Sequence, residues 1–190
     1  MPNRGWRALL AVALDQRGFV TPEDATSVGV DPTQLRILAH RGNLERRGRG
    51  VYRFPEVPVG EHDEYQEAVL VVGHGAVVSH ESALALLELC DVNPRRVHVT
   101  VPTGERVRRR IELPVQIHYG RLVPGEVSSA DGIPVVTAAR AVRGALTTGT
   151  DTRLLAQAIA NGRREGYLTA DEAADLQQLL DARATAGTSR

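Results

Sequence analysis

The 190-residue sequence predicts an α+β protein with two domains: an N-terminal helical unit closed by a β-hairpin, and a larger mixed α/β unit with a small sheet and C-terminal helices. Three observations carry that expectation. Apolar residues recur at helical spacing from residue 4 to about 41, interrupted twice by a capping residue followed by proline, Thr21-Pro22 and Asp31-Pro32. A glycine- and arginine-rich turn then separates two short runs, 44–47 and 50–54. Beyond a proline-containing stretch at 55–61, short alternating segments are interleaved with helical ones to residue 182.

In the first domain, residues 4–17 place Trp6, Leu9, Leu10, Ala13 and Leu14 on one helical face, and Gly18 is positioned to stop the helix. Phe19 and Val20 form an apolar bridge. Thr21 caps a short second helix over 22–28, with Pro22 at its first position and Asp24 three residues after the cap. Asp31 and Pro32 repeat the device for a third helix over 32–41, which Gly42-Asn43 ends. The turn Gly29-Val30-Asp31 has the length that joins the two helices of a helix-turn-helix. Helix, short helix, turn, helix, hairpin is the order of a winged helix-turn-helix domain, here residues 1–54, with 55–61 as linker.

The second domain is expected over 62–185. Helices are expected at 62–72, 81–89, 138–147, 152–164 and 170–182, capped in the last three by Thr137, Asp151 and the Thr169/Glu172 capping box. Strands are expected at 76–78, 96–101 and 111–119, with two more around Asp131-Gly132. Pro114 marks the 111–119 run as an edge or bulged strand. Residues 186–190 read as a frayed tail.

The 23 basic and 23 acidic residues cancel, and every basic residue is Arg. The absence of Lys excludes a phosphate-binding loop ending in G-K-[ST] and a Schiff-base lysine. One cysteine, Cys90, excludes an internal disulfide and a multi-cysteine zinc site. It follows an apolar helix stripe and reads as a buried thiol. With no membrane-length apolar run and no leader-like N-terminus, the chain is expected to be cytoplasmic. The neutral total hides blocks: net +4 over 1–54, −8 over 55–94, +5 over 95–121 and −1 over 122–190. Either basic block would attract a polyanion locally.

In a helix-turn-helix the second helix of the pair meets base edges with its N-terminal part. That places Thr33, Gln34, Arg36 and Ile37 against DNA, with His40 and Arg41 one turn on and Leu35 and Leu38 turned to the core. Gln reads adenine and Arg reads guanine bidentately. Arg46, Arg47 and Arg49 lie on the proposed wing, where flanking glycines let phosphates approach. The alternative is a solvated hairpin in which Arg47 and Arg53 pair with acids. A candidate second patch comprises Arg95, Arg96, Arg106, Arg108, Arg109 and Arg110; if 97–101 and 111–117 pair, it lies on a loop at one end of a sheet, as a binding surface or as a solvated loop. Trp6, Tyr52 and Phe54 read as core. None of the six histidines falls in a metal-binding or catalytic spacing, and His80 reads as structural. The sequence therefore offers no catalytic residue, no metal site and no cofactor, and the chain is expected not to be an enzyme.

The segment GFVTPEDATSVGVDPTQLRILAHRGNLERRGRGVYRF (18–54) resembles the winged-helix domain of AbiEi-family antitoxins. SHESALALLEL (79–89), VHVTVPTGERVRRR (97–110), QIHYGRLVPGEV (116–127) and DGIPVVTAARAV (131–142) resemble stretches of proteins carrying that domain. Some such relatives continue into a Vsr-like endonuclease domain, for which this chain stops too early and lacks the usual lysine. The resemblance implies a type IV antitoxin that binds inverted repeats in double-stranded promoter DNA, as monomer or dimer, represses its own operon and counters a nucleotidyltransferase-like toxin. Two other readings stand beside it. One is a plain winged-helix regulator whose C-terminal domain binds a ligand or dimerises; the other is a degenerate nuclease relative.

Overall fold

The computed structural model describes residues 4–108 and 111–188, which divide into two compact units: 4–73 with Ile111, and 74–108 with 112–188.

The first unit begins with α1 (Arg4–Asp15), β1 (Phe19–Val20), α2 (Pro22–Ser27) and α3 (Thr33–His40), followed by β2 (Glu45–Gly48), β3 (Val51–Arg53) and α4 (Asp63–Val72). The three strands form an antiparallel sheet in the order β1-β3-β2. The expected capping box forms at α2: the Thr21 amide donates to Asp24 Oδ2 at 2.8 Å, and the Asp24 amide donates back to Thr21 Oγ1 at 3.3 Å. Asp31 Oδ1 accepts both the amide and the hydroxyl of Thr33 at 2.8 Å, which ties down the start of α3. Those two donors hold the Asp31 carboxyl below its usual pKa.

Leu9, Ala13, Val20, Ala25, Leu35, Leu44, Tyr52 and Phe54 make the core of this unit, with Trp6 edge-on to Phe54 at 4.8 Å between ring centroids. Trp6 is thus a packing residue. Leu14 departs from the sequence expectation, being 62% exposed. At about 100° per residue it lies roughly 140° around the helix from Leu9, too far to share the buried stripe.

The unit boundary falls at Gly73, not in the 55–61 stretch. Helix α4 is held to the hairpin by two ion pairs. Arg47 forks onto Glu67 at 2.8 and 3.0 Å, and Arg53 reaches Asp63 at 3.2 Å. Gly48 lets the two elements close up, since a Cβ there would stand 2.9 Å from Val71 Cγ2.

The second unit contains β4 (Val77–Val78), α5 (His80–Leu86), β5 (Val97–Pro102), β6 (Val115–Gly120), a 3₁₀ turn, β7 (Val127–Ala130), β8 (Ile133–Val136), α6 (Ala138–Thr148), α7 (Thr152–Arg164) and α8 (Ala170–Thr188). Its five-stranded mixed sheet has the order β6-β5-β4-β8-β7. β6 is an edge strand, and Pro114 immediately precedes it, where a missing donor costs no ladder bond. Helix α5 packs on α6 and β5, and α7 packs on α8. The Thr169/Glu172 box forms with bonds of 2.9 and 3.2 Å, and the amide and hydroxyl of Thr169, both donating to the Glu172 carboxylate, lower its pKa.

Two expectations are corrected. Strands β5 and β6 run parallel, Val97 opposite Val115 and Pro102 opposite Gly120, so 103–114 is a return crossover rather than a loop at one end of the sheet. Helix α8 continues through Thr188, because 182–186 offers alanines and no breaker before Gly187; residues 189–190 lie outside the described region.

Candidate nucleic-acid interface

The outward face of α3 is built by spacing alone. Thr33, Arg36, Ile37, His40 and Arg41 fall at i, i+3, i+4, i+7 and i+8, and all are exposed, as is Gln34 beside them. Leu35 is fully buried and Leu38 packs against the same core, so the helix cannot rotate this stripe inward without emptying the core. Arg36 and Arg41 form no ion pair among the described residues, leaving their guanidinium groups available to an external acceptor.

The wing is the β2–β3 hairpin, with Arg49-Gly50 at its tip between the paired residues Gly48 and Val51. Arg46 and Arg49 are exposed; Arg46 Nε donates to the Gly48 carbonyl at 3.4 Å. Arg47 is exposed as well, but its guanidinium is already paired within the unit. Its fork is closed on Glu67, whose side chain is only 9% exposed, and Glu45 lies 3.8 Å away. The Glu67 bond holds the Arg47 pKa above its ordinary value. Arg53 is buried, pairing with Asp63, donating to the Val57 carbonyl at 2.9 Å and lying over the Phe19 ring. Both of these hairpin arginines thus pair with acids of α4.

Among the described residues, the arginines of the second basic block lie at two places along β5. Arg95 and Arg96 precede β5, whereas Arg106 and Arg108 flank Val107, whose amide donates to the hydroxyl of Tyr119, opposite Val101 near the other end of that strand. The separation along the strand is roughly 13 Å at the usual rise per residue. Arg95, Arg96, Arg106 and Arg108 are exposed; Arg109 and Arg110 lie outside the described residues.

The fold also assembles a group that sequence spacing did not reveal. His80 at the start of α5, His98 on β5 and His118 on β6 place one ligand atom each within 4.8 Å of one another. His98 Nδ1 is 3.2 Å from His118 Nε2, the His80 and His118 rings stack with centroids 3.6 Å apart, and His80 Nδ1 is 2.9 Å from Ser79 Oγ. The parallel register puts His98 opposite Gln116 and Thr100 opposite His118, so both histidines share one face of the sheet on neighbouring strands. The signal lay in alternation, a histidine at the second position of VHV and at the fourth of VQIH, but only with the pairing known. Beside the cluster is a cavity of about 360 Å³ whose walls include Ser79, His80, His118, Tyr119, Arg140 and Arg143.

Burial strips hydration from the His80 imidazolium, and His118, His98 and Arg140 oppose its charge, so its pKa falls to about 3. His98 and His118 are lowered too, mainly by burial. The unfolded chain therefore binds a proton at His80 that the folded chain refuses between the ordinary 6.5 and about 3. This contribution to stability is full above 6.5 and is lost as the pH falls through that window. The urea midpoint of the second unit is expected to be lower at about pH 5 than at about pH 7.5, with His80→Gln narrowing the difference. An unchanged difference in that variant would contradict the assignment. Cys90 is a buried thiol, with its pKa pushed up to about 11 by burial.

A helix pair on a compact core, an outward cationic stripe on its second helix and an arginine-tipped hairpin define the N-terminal unit as a winged-helix DNA-binding regulator domain. Comparison points the same way for this segment: residues 7–55 match the family model described as transcriptional regulator, AbiEi antitoxin. The match ends before α4 and the second unit. No curated protein matches the chain. Among solved structures, the crystal structure of the RV2827C protein from Mycobacterium tuberculosis is similar, at 17% identity over 90% of this chain and 79% of that one, with a TM-score of 0.47. No helix among the described residues is long and apolar enough to cross a membrane.

Proposed function

We propose that the chain is an antitoxin and autorepressor that sets α3 into the major groove of inverted repeats in its own promoter, and that its second unit counters a nucleotidyltransferase-like toxin. The observation that carries the DNA half is the α3 stripe, held outward by Leu35 and free of ion pairs among the described residues. In this reading Gln34 and Arg36 meet base edges, Thr33, Ile37, His40 and Arg41 border them, and Arg46 and Arg49 reach phosphate from the wing. Two copies meet two half-sites. The chain acts by binding rather than catalysis.

The wing assignment has its own test. Each phosphate contact adds about 0.9 to the slope of log affinity against log salt. The Arg46→Ala/Arg49→Ala variant is expected to flatten that slope by up to about 2 in a fluorescence-anisotropy titration. Arg47→Ala is expected instead to lower the melting temperature, because it leaves the Glu67 carboxylate unpaired. A full wild-type slope in the double variant contradicts the wing role.

The toxin half is tested by growth. Co-expression with the product of an adjacent nucleotidyltransferase-like gene should relieve its toxicity, and relief should survive the α3 substitutions if the second unit carries it. The cavity of the second unit favours one alternative, a plain regulator responding to a small ligand, since its volume lies within the range of ligand sites. Absence of such a neighbouring gene, with operator binding intact, would select that alternative.

A further inference from the structure

We propose that His80, His98 and His118 bind one divalent first-row transition-metal ion of the zinc type, in a three-imidazole site whose remaining coordination position faces the cavity of the second unit. The proposal stands on this unit alone and is independent of the DNA-binding reading.

Convergence is the first support. Three imidazoles from three different elements bring a ligand atom each within 4.8 Å of the others, and this is the cluster of metal-ligating type among the described residues. Two imidazole nitrogens held about 2.0–2.1 Å from a tetrahedral zinc ion lie roughly 3.3–3.4 Å apart. His98 Nδ1 and His118 Nε2 are already 3.2 Å apart. A neutral hydrogen bond between these two rings accounts for their pair distance but leaves His80 unexplained, stacked on His118 with its rings at 17° to each other.

The surroundings of His80 supply the second support. Ser79 Oγ, itself accepting from Thr100 Oγ1 at 2.8 Å, lies 2.9 Å from His80 Nδ1. With Nδ1–H donating to that oxygen, the lone pair is left on Nε2, the arrangement by which a second-shell oxygen orients a ligating imidazole. Gly144 of α6 makes the room: a Cβ there would stand 2.8 Å from His80 Cδ2 and 3.0 Å from Nε2. From the stacked position, the His80 ring turns about its terminal torsion, which is soft for an aromatic ring, to aim Nε2 at a shared point, and the Ser79 hydroxyl turns with it to stay the acceptor of Nδ1–H.

Donor chemistry sets the class of ion. Three neutral nitrogen donors without a carboxylate suit zinc, copper, nickel or cobalt rather than magnesium or calcium. Three protein ligands leave a position open, as in zinc sites that take water or a substrate. Arg140 and Arg143 on the same cavity wall oppose a bare dication and favour an anion, such as hydroxide, as the fourth ligand.

The experiment is a titration of zinc chloride, followed by calorimetry, into the full chain freed of metal and of any affinity tag. One ion per chain is expected, with His98→Gln and His118→Gln each weakening binding at least about tenfold and His74→Gln, exposed and paired with Glu105, leaving it unchanged. Circular dichroism checks that the variants fold. Should one fail, zinc-edge anomalous scattering from crystals of the wild-type chain decides instead, with the ion expected about 2.0–2.1 Å from the three ring nitrogens. No binding, binding indifferent to both substitutions, or an anomalous peak elsewhere would overturn the proposal.

Discussion

Truncating Gln34 and Arg36 together is expected to weaken operator binding at least about thirtyfold while leaving binding to unrelated DNA nearly unchanged. Each bidentate side chain–base pair contributes roughly 1–3 kcal/mol of discrimination, and about 1.4 kcal/mol is a factor of ten. Both side chains are exposed, so the Gln34→Ala/Arg36→Ala variant should fold as the wild type does, since surface changes away from caps and pairs usually shift stability by under about 0.5 kcal/mol. Competition binding with operator and scrambled duplexes at one fixed salt concentration measures the effect. Equal losses on both duplexes would mean that α3 contributes charge and no base reading.

The second large effect is on stability. Asp63→Ala removes the partner of a guanidinium that is 7% exposed and leaves a buried charge with the Phe54 and Val57 carbonyls as its acceptors. Breaking a buried pair from one side costs about 3–5 kcal/mol, a large share of the roughly 5–15 kcal/mol that holds a domain together. Urea unfolding should show that loss in the first unit, with a fall in melting temperature of about 12 °C or more. Replacing both partners with apolar residues, Arg53→Met with Asp63→Leu, should restore most of it, because neither charge then needs solvation. A loss below about 1 kcal/mol in the single variant would show that water reaches the pair.

The first unit was largely legible because its determinants are local. Thr21 and Asp24 are three residues apart and complete their box within one turn of chain. The α3 stripe repeats with the helix period, and the hairpin turn is written in adjacent glycines and arginines. What escaped depends on partners that only the fold supplies. Arg47 finds Glu67 across 20 residues, and Arg53 finds Asp63 across 10, so the acidic run of α4, read in sequence as part of the second domain, turns out to neutralise the hairpin. His98 and His118 are also 20 residues apart, and they meet only because β5 and β6 run parallel. Strand direction is decided by the path of the 103–114 crossover, about which alternation of side chains says nothing.

Hydroxyl-radical footprinting of the chain on the DNA upstream of its own gene bears most directly on the DNA-binding role. The expected pattern is protection of an inverted repeat whose half-sites are separated by about one helical turn, roughly 34–36 Å, or a multiple of it. That protection should vanish with Gln34→Ala/Arg36→Ala at a concentration where the folded variant still coats non-specific DNA. No protection upstream, or protection that the α3 substitutions leave intact, would contradict the assignment of α3 as the reading helix.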